Sequence, residues 1–277
     1  MSGRKIKVAC VQLRSSDDID WNIRKTSGHI RLAHKDGARF IATPENTTLM
    51  APDGGAKLEK SYTEKDDPAL PAFRALAAEL EVWLLIGSLA IKVSADKTAN
   101  RSFLIAPDGS IEARYDKIHL FDVNLPSGET YRESNTVAPG DRAVVASLPW
   151  ARIGLSVCYD LRFPQLYRSL ANAGAEILTV PSAFTETTGK AHWHVLLRAR
   201  AIENACFVVA PAQGGEHANG RRTYGHSLIV GPWGDILAEG GTEPQVVAAE
   251  LDLDEIAAAR GRVPALHHDR PFNPPGA

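Results

Sequence analysis

The feature that most constrains the fold is a segment that occurs twice, once in each half of the chain. A strand-like run and a helix-length segment precede GARFIATPEN at residues 37–46, and a similar pair precedes GAEILTVPSA at residues 174–183. In each copy a Gly-Ala pair follows the helix and a proline ends the strand, which suits glycine at a helix C-terminus and proline at a strand end. Two such halves would each lay a layer of helices over one sheet.

Packing two such sheets face to face would give an α/β fold, a four-layer α-β-β-α sandwich with internal pseudo-two-fold symmetry. The alternative is that any two strand–helix–strand units look alike at this level, and the residues alone leave both interpretations open. Short β-branched or apolar runs predict strands throughout the chain, at 6–13, 40–43, 82–88, 102–106, 153–157, 176–180, 207–210, 226–230 and 246–251. Apolar spacings of three and four predict helices at 23–35, 68–80, 164–173 and 191–204.

The composition of the chain indicates which kinds of molecule it is expected to bind. The chain has 277 residues, 44% of them hydrophobic, and a formal net charge of -2, which together indicate a globular protein with ample core. Because no dense Lys/Arg run occurs, nucleic acid and membrane surfaces are not expected partners, and a small molecule is favoured. We expect a single domain over residues 1–277, of which 263–277 form a Pro-rich C-terminal tail.

The expected location is the cytoplasm. The N-terminus enters a strand-like alternation without a secretory apolar region, and no stretch of about 18 uncharged apolar residues occurs. The three cysteines, Cys10, Cys158 and Cys206, contain no CxxC pair, which argues against a disulfide framework and against a thiolate zinc site. We therefore expect reduced thiols.

Cys158 is the candidate nucleophile. It lies in GLSVCYDLRFP (residues 154–164), between an apolar run and a polar turn that leads to a proline suited to a first helical turn. Free cysteine usually packs in the core, and Cys10 and Cys206 fit that description because apolar residues surround them. At a strand-to-helix turn, backbone N–H groups lower the pKa of a thiol and can bind an oxyanion.

Glu45 and Lys117 are the candidate partners of this thiol. Glu45 follows the predicted strand 40–43, where partial burial would raise the pKa of its carboxyl towards that of a general base. A solvated loop glutamate is the alternative. Lys117 lies in YDKIHLF (residues 115–121), where polar and apolar residues alternate, and a half-exposed strand lysine is the alternative there. If Lys117 faces Cys158, its ammonium would favour the thiolate.

Other reaction classes lack their sequence patterns. No HExxH, GxSxG, GxGxxG or P-loop motif is present, so zinc hydrolase, serine esterase, dinucleotide and NTPase functions have no support. His192 and His194 stand two apart on a predicted helix, face different directions and are not expected to share a metal.

Three motifs resemble those of the nitrilase, or carbon-nitrogen hydrolase, superfamily. TPENT around Glu45, YDKIHLFDV around Lys117 and GLSVCYDLRFP around Cys158 match, in order, the glutamate, lysine and cysteine motifs of that family. The family also places a second glutamate between lysine and cysteine. Glu133 in YRESNTVAPGD matches it, whereas the context of the nearby Glu129 does not.

The resemblance implies the four-layer sandwich, a homodimer or larger homo-oligomer, and a mechanism without metal or organic cofactor. Glu45 would accept the proton of Cys158, and the thiolate would attack an amide carbonyl. Lys117 and the N–H of Tyr159 would bind the developing oxyanion. Glu133 would position groups by hydrogen bonding.

The substrate class follows from a narrower resemblance. Residues 159–164, 181–204 and 224–234 are similar to Nit-type amidases, most of all those acting on deaminated glutathione and next omega-amidases on 2-oxoglutaramate or 2-oxosuccinamate. His194 departs from the glutamate usual there. The implied reaction is hydrolysis of the terminal amide of a small carboxylated 2-oxo acid. A catalytically idle homologue serving as an interaction module is the alternative of another class.

Tyr159, Arg162 and Phe184 are the candidate substrate-binding residues. Because the implied substrates carry carboxylates, a cationic clamp is expected, and Arg162, Arg198 and Arg200 are candidates. For the two helix arginines a structural ion pair with Glu203 or a neighbour is the favoured interpretation.

Overall fold

The computed structural model describes residues 4–125, 128–218, 220–273 and 275. Six α-helices lie within these residues: α1 (Ile19–Lys35), α2 (Gly54–Lys60), α3 (Ala69–Leu80), α4 (Pro164–Asn172), α5 (Glu186–Asn204) and α6 (Asp254–Arg262). The strands are β1 (Lys5–Gln12), β2 (Phe40–Ala42), β3 (Trp83–Lys92), β4 (Thr98–Ile105), β5 (Ile111–Asp116), β6 (Asp122–Asn124), β7 (Thr130–Arg132), β8 (Val137–Ala138), β9 (Val144–Ser147), β10 (Arg152–Leu155), β11 (Ile177–Thr179), β12 (Phe207–Ala210), β13 (Gly214–Glu216), β14 (Arg222–Tyr224), β15 (Leu228–Val230), β16 (Ile236–Glu239) and β17 (Gln245–Asp252).

Two large sheets have related cores. The first has the strand order β17-β1-β2-β3-β4-β5, with β8 paired to β4, and the second has the order β16-β15-β12-β11-β10-β9. In the first sheet β2 runs parallel to β1 and β3, and in the second β11 runs parallel to β10 and β12. The two copies of the repeated segment therefore supply the central parallel strand of each sheet.

The alternation of side chains along β1 shows why the sheets form two inner layers. Val8 and Cys10 pack in a core shared with the second sheet, whereas Ala9 and Val11 pack with residues of α1 and α3. Successive strand residues point to opposite faces, so one strand serves both interfaces. Leu170 of α4 and Leu197 of α5 cover the second sheet. The predicted α-β-β-α sandwich with related halves is confirmed.

All nine predicted strands and four predicted helices are present, with shifts mainly at their ends. The single-domain assignment and its tail stay predictions: α6 ends at Arg262, and residues 274, 276 and 277 of the predicted tail lie outside the described residues. Within the described ranges, none of the helices combines the length and apolarity needed to cross a bilayer.

Candidate active site

Cys158 lies at the strand-to-helix turn that its sequence context predicted. It begins the 3-10 segment Cys158–Arg162, three residues beyond the end of β10, and has a φ of 51°. A left-handed φ is uncommon for a residue with a side chain and is typically held by surrounding structure at functional sites. The N–H of Cys158 donates to the carbonyl of Pro181 at 2.9 Å. This hydrogen bond ties the nucleophile to the end of the repeated segment of the second half.

The carboxylate of Asp160 also stabilises the turn that carries Cys158. Its side chain is fully buried, and Oδ2 accepts hydrogen bonds from Tyr115 Oη at 2.7 Å and from the N–H of Val157 at 2.8 Å. Oδ1 accepts from the N–H of His119 at 3.0 Å, and the His119 ring nitrogen Nδ1 lies 2.7 Å from the same oxygen. One carboxylate thus connects the turn around Cys158 to the end of β5.

Glu45 enters the site from the first half, directly after β2 and Pro44. Its Oε2 accepts a hydrogen bond from the N–H of Ala183 at 2.9 Å, which joins the ends of the two repeated segments. Gly87 makes this approach possible: a Cβ there would lie 1.9 Å from the carbonyl oxygen of Thr43 and 2.4 Å from Cβ of Pro181. Only a residue without a side chain fits between the two segments.

Lys117 lies between two carboxylates. Its Nζ donates to Glu45 Oε1 at 2.9 Å and to Glu133 Oε2 at 2.8 Å, and its side chain is 2% exposed. The half-exposed alternative for Lys117 is therefore wrong: β5 ends at Asp116, and the chain turns inward after it. Asn100 joins the same cluster, since its Nδ2 donates to Glu45 at 2.9 Å and to Glu133 at 3.2 Å.

The charges in the cluster correct the expected pKa of Glu45. Burial alone would raise this pKa, but the charge and hydrogen bond of Lys117 outweigh burial and hold it below its ordinary value. For Lys117, burial is outweighed by the charges of Glu133 and Glu45, so its pKa is raised. Glu45 is thus a carboxylate and Lys117 an ammonium at neutral pH, the reverse of the raised Glu45 pKa expected from the sequence.

The pKa of the Cys158 thiol also differs in direction from the sequence-based expectation. Burial raises its pKa, the Glu45 carboxylate adds to the rise, and Lys117 opposes it. The expected lowering by backbone N–H groups is therefore outweighed, and the thiol is neutral in the resting site. A neutral thiol that interacts with an ionised carboxylate is the starting state for general-base activation.

The other two thiols pack in the core as expected. Cys10 and Cys206 are both fully buried. Burial raises the pKa of Cys206 to about 11, and it raises that of Cys10 as well. The raised pKa is shared with Cys158, but neither Cys10 nor Cys206 lines the cavity or contacts Glu45, so their reactivity should be lower.

Glu45, Lys117, Glu133 and Cys158 converge at one cavity of about 520 Å³. Tyr159 and Phe184, predicted to bind substrate, also line it. The remaining lining residues are Asn46, Met50, Ala51, Pro52, Asp53, Gly54, Lys57, Phe121, Glu129, Thr130, Tyr131, Arg132, Thr136, Val137, Ala183, Thr185, Thr188, Gly220 and Arg221. A cavity of this size accommodates a small organic molecule.

Arg162 is placed differently from its prediction. Among the described residues, it lies outside the cavity lining, with its guanidinium 5.9 Å from the ring centroid of Tyr159 and 5.5 Å from that of Phe184. It therefore lies close to two rings that line the cavity. Arg200 pairs with Glu203 at 2.9 Å, which confirms the structural ion pair.

Arg198 has another structural contact, because its Nε donates to the carbonyl of Gly234 at 2.7 Å. The cations that do line the cavity include Lys57 and Arg221. Lys57 donates to Asn46 Oδ1 at 2.9 Å, and burial lowers its pKa against the opposing charges of Glu133 and Glu45. Sequence reasoning missed both of these residues and Asn100. Asn100 stands among other polar residues of β4, Thr98, Arg101 and Ser102, so no local signal distinguished it.

Comparison with known proteins agrees with this geometry. The family model "Carbon-nitrogen hydrolase" matches residues 7–261. A deaminated glutathione amidase from Synechocystis sp. is 43% identical over 269 residues, covering 94% of this chain and 96% of that protein. The human omega-amidase is 35% identical over 265 residues, covering 95% of each.

Solved structures share the fold. The NitFhit protein of C. elegans matches with a TM-score of 0.91 and 35% identity, covering 98% of this chain and 66% of that one. A mutant of the amidase from Nesterenkonia sp. AN1, 26% identical with a TM-score of 0.79, covers 93% of this chain and 98% of its own, and its structure shows acrylamide added at the active-site cysteine. Because the family match spans most of the sequence, the chain belongs to the carbon-nitrogen hydrolase family.

Proposed function

We propose that this chain is an amidase that hydrolyses the amide bond between the 2-oxo acyl group and cysteinylglycine in deaminated glutathione, using Cys158 as the nucleophile and releasing cysteinylglycine. The observation that carries the proposal is the meeting of Glu45, Lys117 and Cys158 at one cavity. The 43% identity to a deaminated glutathione amidase over nearly the whole chain supports this substrate.

In the acylation half of the reaction, Glu45 accepts the proton of the Cys158 thiol while the sulfur attacks the amide carbonyl. The negative charge that develops on the carbonyl oxygen is stabilised by the Lys117 ammonium and the N–H of Tyr159. Protonated Glu45 then donates its proton to the leaving nitrogen, since a neutral amide nitrogen leaves poorly as an anion. The amine departs, as cysteinylglycine from deaminated glutathione, and a thioester remains on Cys158.

In the deacylation half, Glu45 accepts a proton from water, which attacks the thioester carbonyl through the same oxyanion contacts. Collapse of the tetrahedral intermediate breaks the C–S bond, and the proton returns from Glu45 to the sulfur. Glu133 and Asn100 hold Lys117 and Glu45 in place throughout by the hydrogen bonds described above. The carboxylic acid product leaves and the resting site is restored.

In this proposal Lys57 and Arg221 are the cationic residues that bind the substrate carboxylate. Both line the cavity, whereas Arg162 is not among the described residues that line it. A partly desolvated ammonium attracts a substrate carboxylate more strongly than one in water. Lys57→Met should therefore raise KM for deaminated glutathione more than it lowers kcat. It should change KM little for a neutral aliphatic amide, if that amide is turned over.

The direct test is the release of cysteinylglycine and 2-oxoglutarate from deaminated glutathione by the purified chain. Cys158→Ala should lower kcat by at least about 10³-fold, since removal of a nucleophile abolishes the covalent route. Cys10→Ala is the matched control, because that thiol packs in the core. A Cys158→Ala protein that retains turnover contradicts the proposal. Stoichiometric alkylation at Cys158 alone would distinguish an active enzyme from an idle interaction module, in which all three thiols would be equally inert.

Omega-amidase activity is the second candidate, supported by the 35% identity to the human omega-amidase. The two candidates share their chemistry and their 2-oxo acyl group, and they differ in the leaving amine, which is cysteinylglycine in deaminated glutathione and ammonia in 2-oxoglutaramate. Comparing kcat/KM for deaminated glutathione with that for 2-oxoglutaramate decides between them.

We further propose that the chain acts in the cytoplasm as a homodimer or larger homo-oligomer. Support for assembly comes from apolar side chains on the outer face of α5 and the neighbouring hairpin: Val195 is 69% exposed, Ile202 53% and Trp233 57%. Exposed apolar patches of this kind mark interaction surfaces. Light scattering should give at least twice the chain mass, and Val195→Glu should shift it towards the monomer.

A further inference from the structure

Three potential metal ligands meet outside the catalytic cavity, on the outer side of the second sheet. His194 lies on α5, His226 lies two residues before β15, and Glu239 ends β16. His194 Nε2 lies 2.9 Å and His226 Nδ1 lies 2.8 Å from the same oxygen, Oε1 of Glu239. The three ligand atoms all lie within 4.8 Å of one another.

The surroundings hold the two imidazole rings in position. The His226 ring stacks on Tyr224, with ring centroids 4.3 Å apart, and the His194 ring meets the edge of the same tyrosine. The carbonyl of His226 accepts a hydrogen bond from Trp193 Nε1 at 2.7 Å, and its N–H donates to Gly241 at 2.8 Å. The backbone of His226 is left-handed, with a φ of 53°. Such packing and hydrogen bonds keep the nitrogens aimed at Glu239.

The charge of Glu239 suits a cation. A glutamate carboxyl is ordinarily ionised at neutral pH, and the neutral imidazole is the form of histidine that binds a metal. Two imidazole nitrogens and one carboxylate oxygen form a ligand set that zinc uses commonly.

The spacing also fits an ion. Zinc bonds to nitrogen and oxygen of about 2.0–2.2 Å in tetrahedral geometry place neighbouring ligand atoms about 3.3 Å apart. The two separations from Glu239 Oε1, 2.9 Å and 2.8 Å, are both shorter than this value, so small rotations of the side chains must move these atoms apart to admit the ion. The three side chains are 29%, 27% and 35% exposed, which leaves a path from solvent and room for a water ligand.

We propose that His194, His226 and Glu239 bind one divalent transition cation, Zn²⁺ or a close relative, which joins α5 to the β15–β16 hairpin. Its role is structural and separate from the cysteine chemistry. A cation bound only by the folded state stabilises that state in proportion to the logarithm of its concentration over its Kd. Saturating Zn²⁺ should therefore raise the Tm by several degrees.

The experiment is a titration of the full chain with Zn²⁺ against a chromophoric chelator, with Co²⁺ as the spectroscopic probe. We expect about one equivalent per chain with a Kd of 10 µM or tighter, and visible Co²⁺ absorption typical of four ligands. Glu239→Gln and His226→Asn should each weaken binding at least about tenfold and abolish the gain in Tm. Asparagine is chosen at residue 226 because it tolerates a left-handed backbone.

Two controls exclude other binders. His192→Asn removes a histidine of the same helix that contacts Arg162 and should leave the affinity unchanged. Cys158→Ser removes the catalytic thiol and should also leave it unchanged. A Kd weaker than 100 µM, equal affinity in Glu239→Gln, or loss of the site in Cys158→Ser would overturn the proposal. If His226→Asn does not fold, His194→Gln provides the same comparison.

Discussion

The Lys117 ammonium and the Glu45 carboxylate are hydrogen-bonded at 2.9 Å in a place where both side chains are almost fully buried. A buried ion pair of this kind carries a large desolvation penalty, so it is weak support for stability. It does fix the protonation state of both groups. The resting site therefore holds a base that is already ionised beside a thiol that is not.

Replacing Lys117 by methionine should remove most of the activity. The oxyanion loses its cation, which costs about 10²–10³ in kcat, and Glu45 and Glu133 lose their shared counter-ion. Without that cation the pKa of Glu45 rises, and unfolding should become easier by about 3 kcal/mol. Steady-state kinetics and chemical denaturation measure both effects.

Lys190→Met is the control for this prediction, since Lys190 forms an exposed pair with Glu186 that should contribute less than about 1 kcal/mol. Equal kcat in Lys117→Met and in the control would show that Lys117 does not stabilise the transition state.

Gly87→Ala should disrupt the contact between the two repeated segments. Its Cβ would meet the Thr43 carbonyl at 1.9 Å, so the segment that carries Glu45 must move. We expect a loss of about 2 kcal/mol or more in the free energy of unfolding and a fall in kcat. Gly28→Ala is the matched control, because a Cβ there has nothing within 4 Å and the site lies inside α1. Gly28→Ala should stabilise by up to about 1 kcal/mol. Similar melting curves for both variants would contradict this account.

Asp160→Asn should loosen the turn that carries Cys158. The new amide would direct N–H groups at donors that now bind a carboxylate oxygen, including Tyr115 and the N–H of Val157. We expect a loss of about 3 kcal/mol in stability and a change in the alkylation rate of Cys158. Asp36→Asn alters only an exposed pair with Lys7 and serves as the comparison. An unchanged alkylation rate in Asp160→Asn would separate this carboxylate from the geometry of the nucleophile.

His217 should make stability fall with acid. Its Nδ1 donates to the Ser15 carbonyl at 2.9 Å, its Nε2 accepts from Thr223 at 2.7 Å, and burial lowers its pKa from 6.5 to about 4. The unfolded chain therefore binds more protons between these two pH values, so stability is full above pH 6.5 and falls as the pH drops towards 4. The loss amounts to about 3 kcal/mol at most.

Denaturation curves at pH 8, 6 and 4.5 measure this dependence, and His217→Gln should show a flatter profile over the same range. Glu45 also makes stability depend on pH, but in a lower pH range. Because its pKa is lowered in the folded state, its contribution to the free energy of unfolding decreases only below its ordinary pKa of 4.5. A wild-type profile as flat as that of His217→Gln would show that His217 is not responsible.

The local sequence predicted the helices and strands and indicated Cys158 as the candidate nucleophile. Strand and helix periodicity report which face of each element is buried, and the repeated GARFIATPEN and GAEILTVPSA segments indicated two related sheets. The polar turn that follows Cys158 distinguished it from Cys10 and Cys206, which have apolar neighbours on both sides. Each of these signals is local, because the residues that carry it are neighbours along the chain.

The protonation states and contacts of the site residues could be read only from the tertiary structure. Glu45 meets Lys117 from 72 residues away and Ala183 from 138 residues away, so neither partner could be read from the neighbouring sequence. Local reasoning considered the burial of Glu45 and expected a raised pKa, whereas the nearby ammonium reverses the direction. Lys57 and Arg221 were missed for the same reason, since both are far in sequence from Lys117 and Cys158. A side chain's electrostatic surroundings depend on the packing of the whole fold.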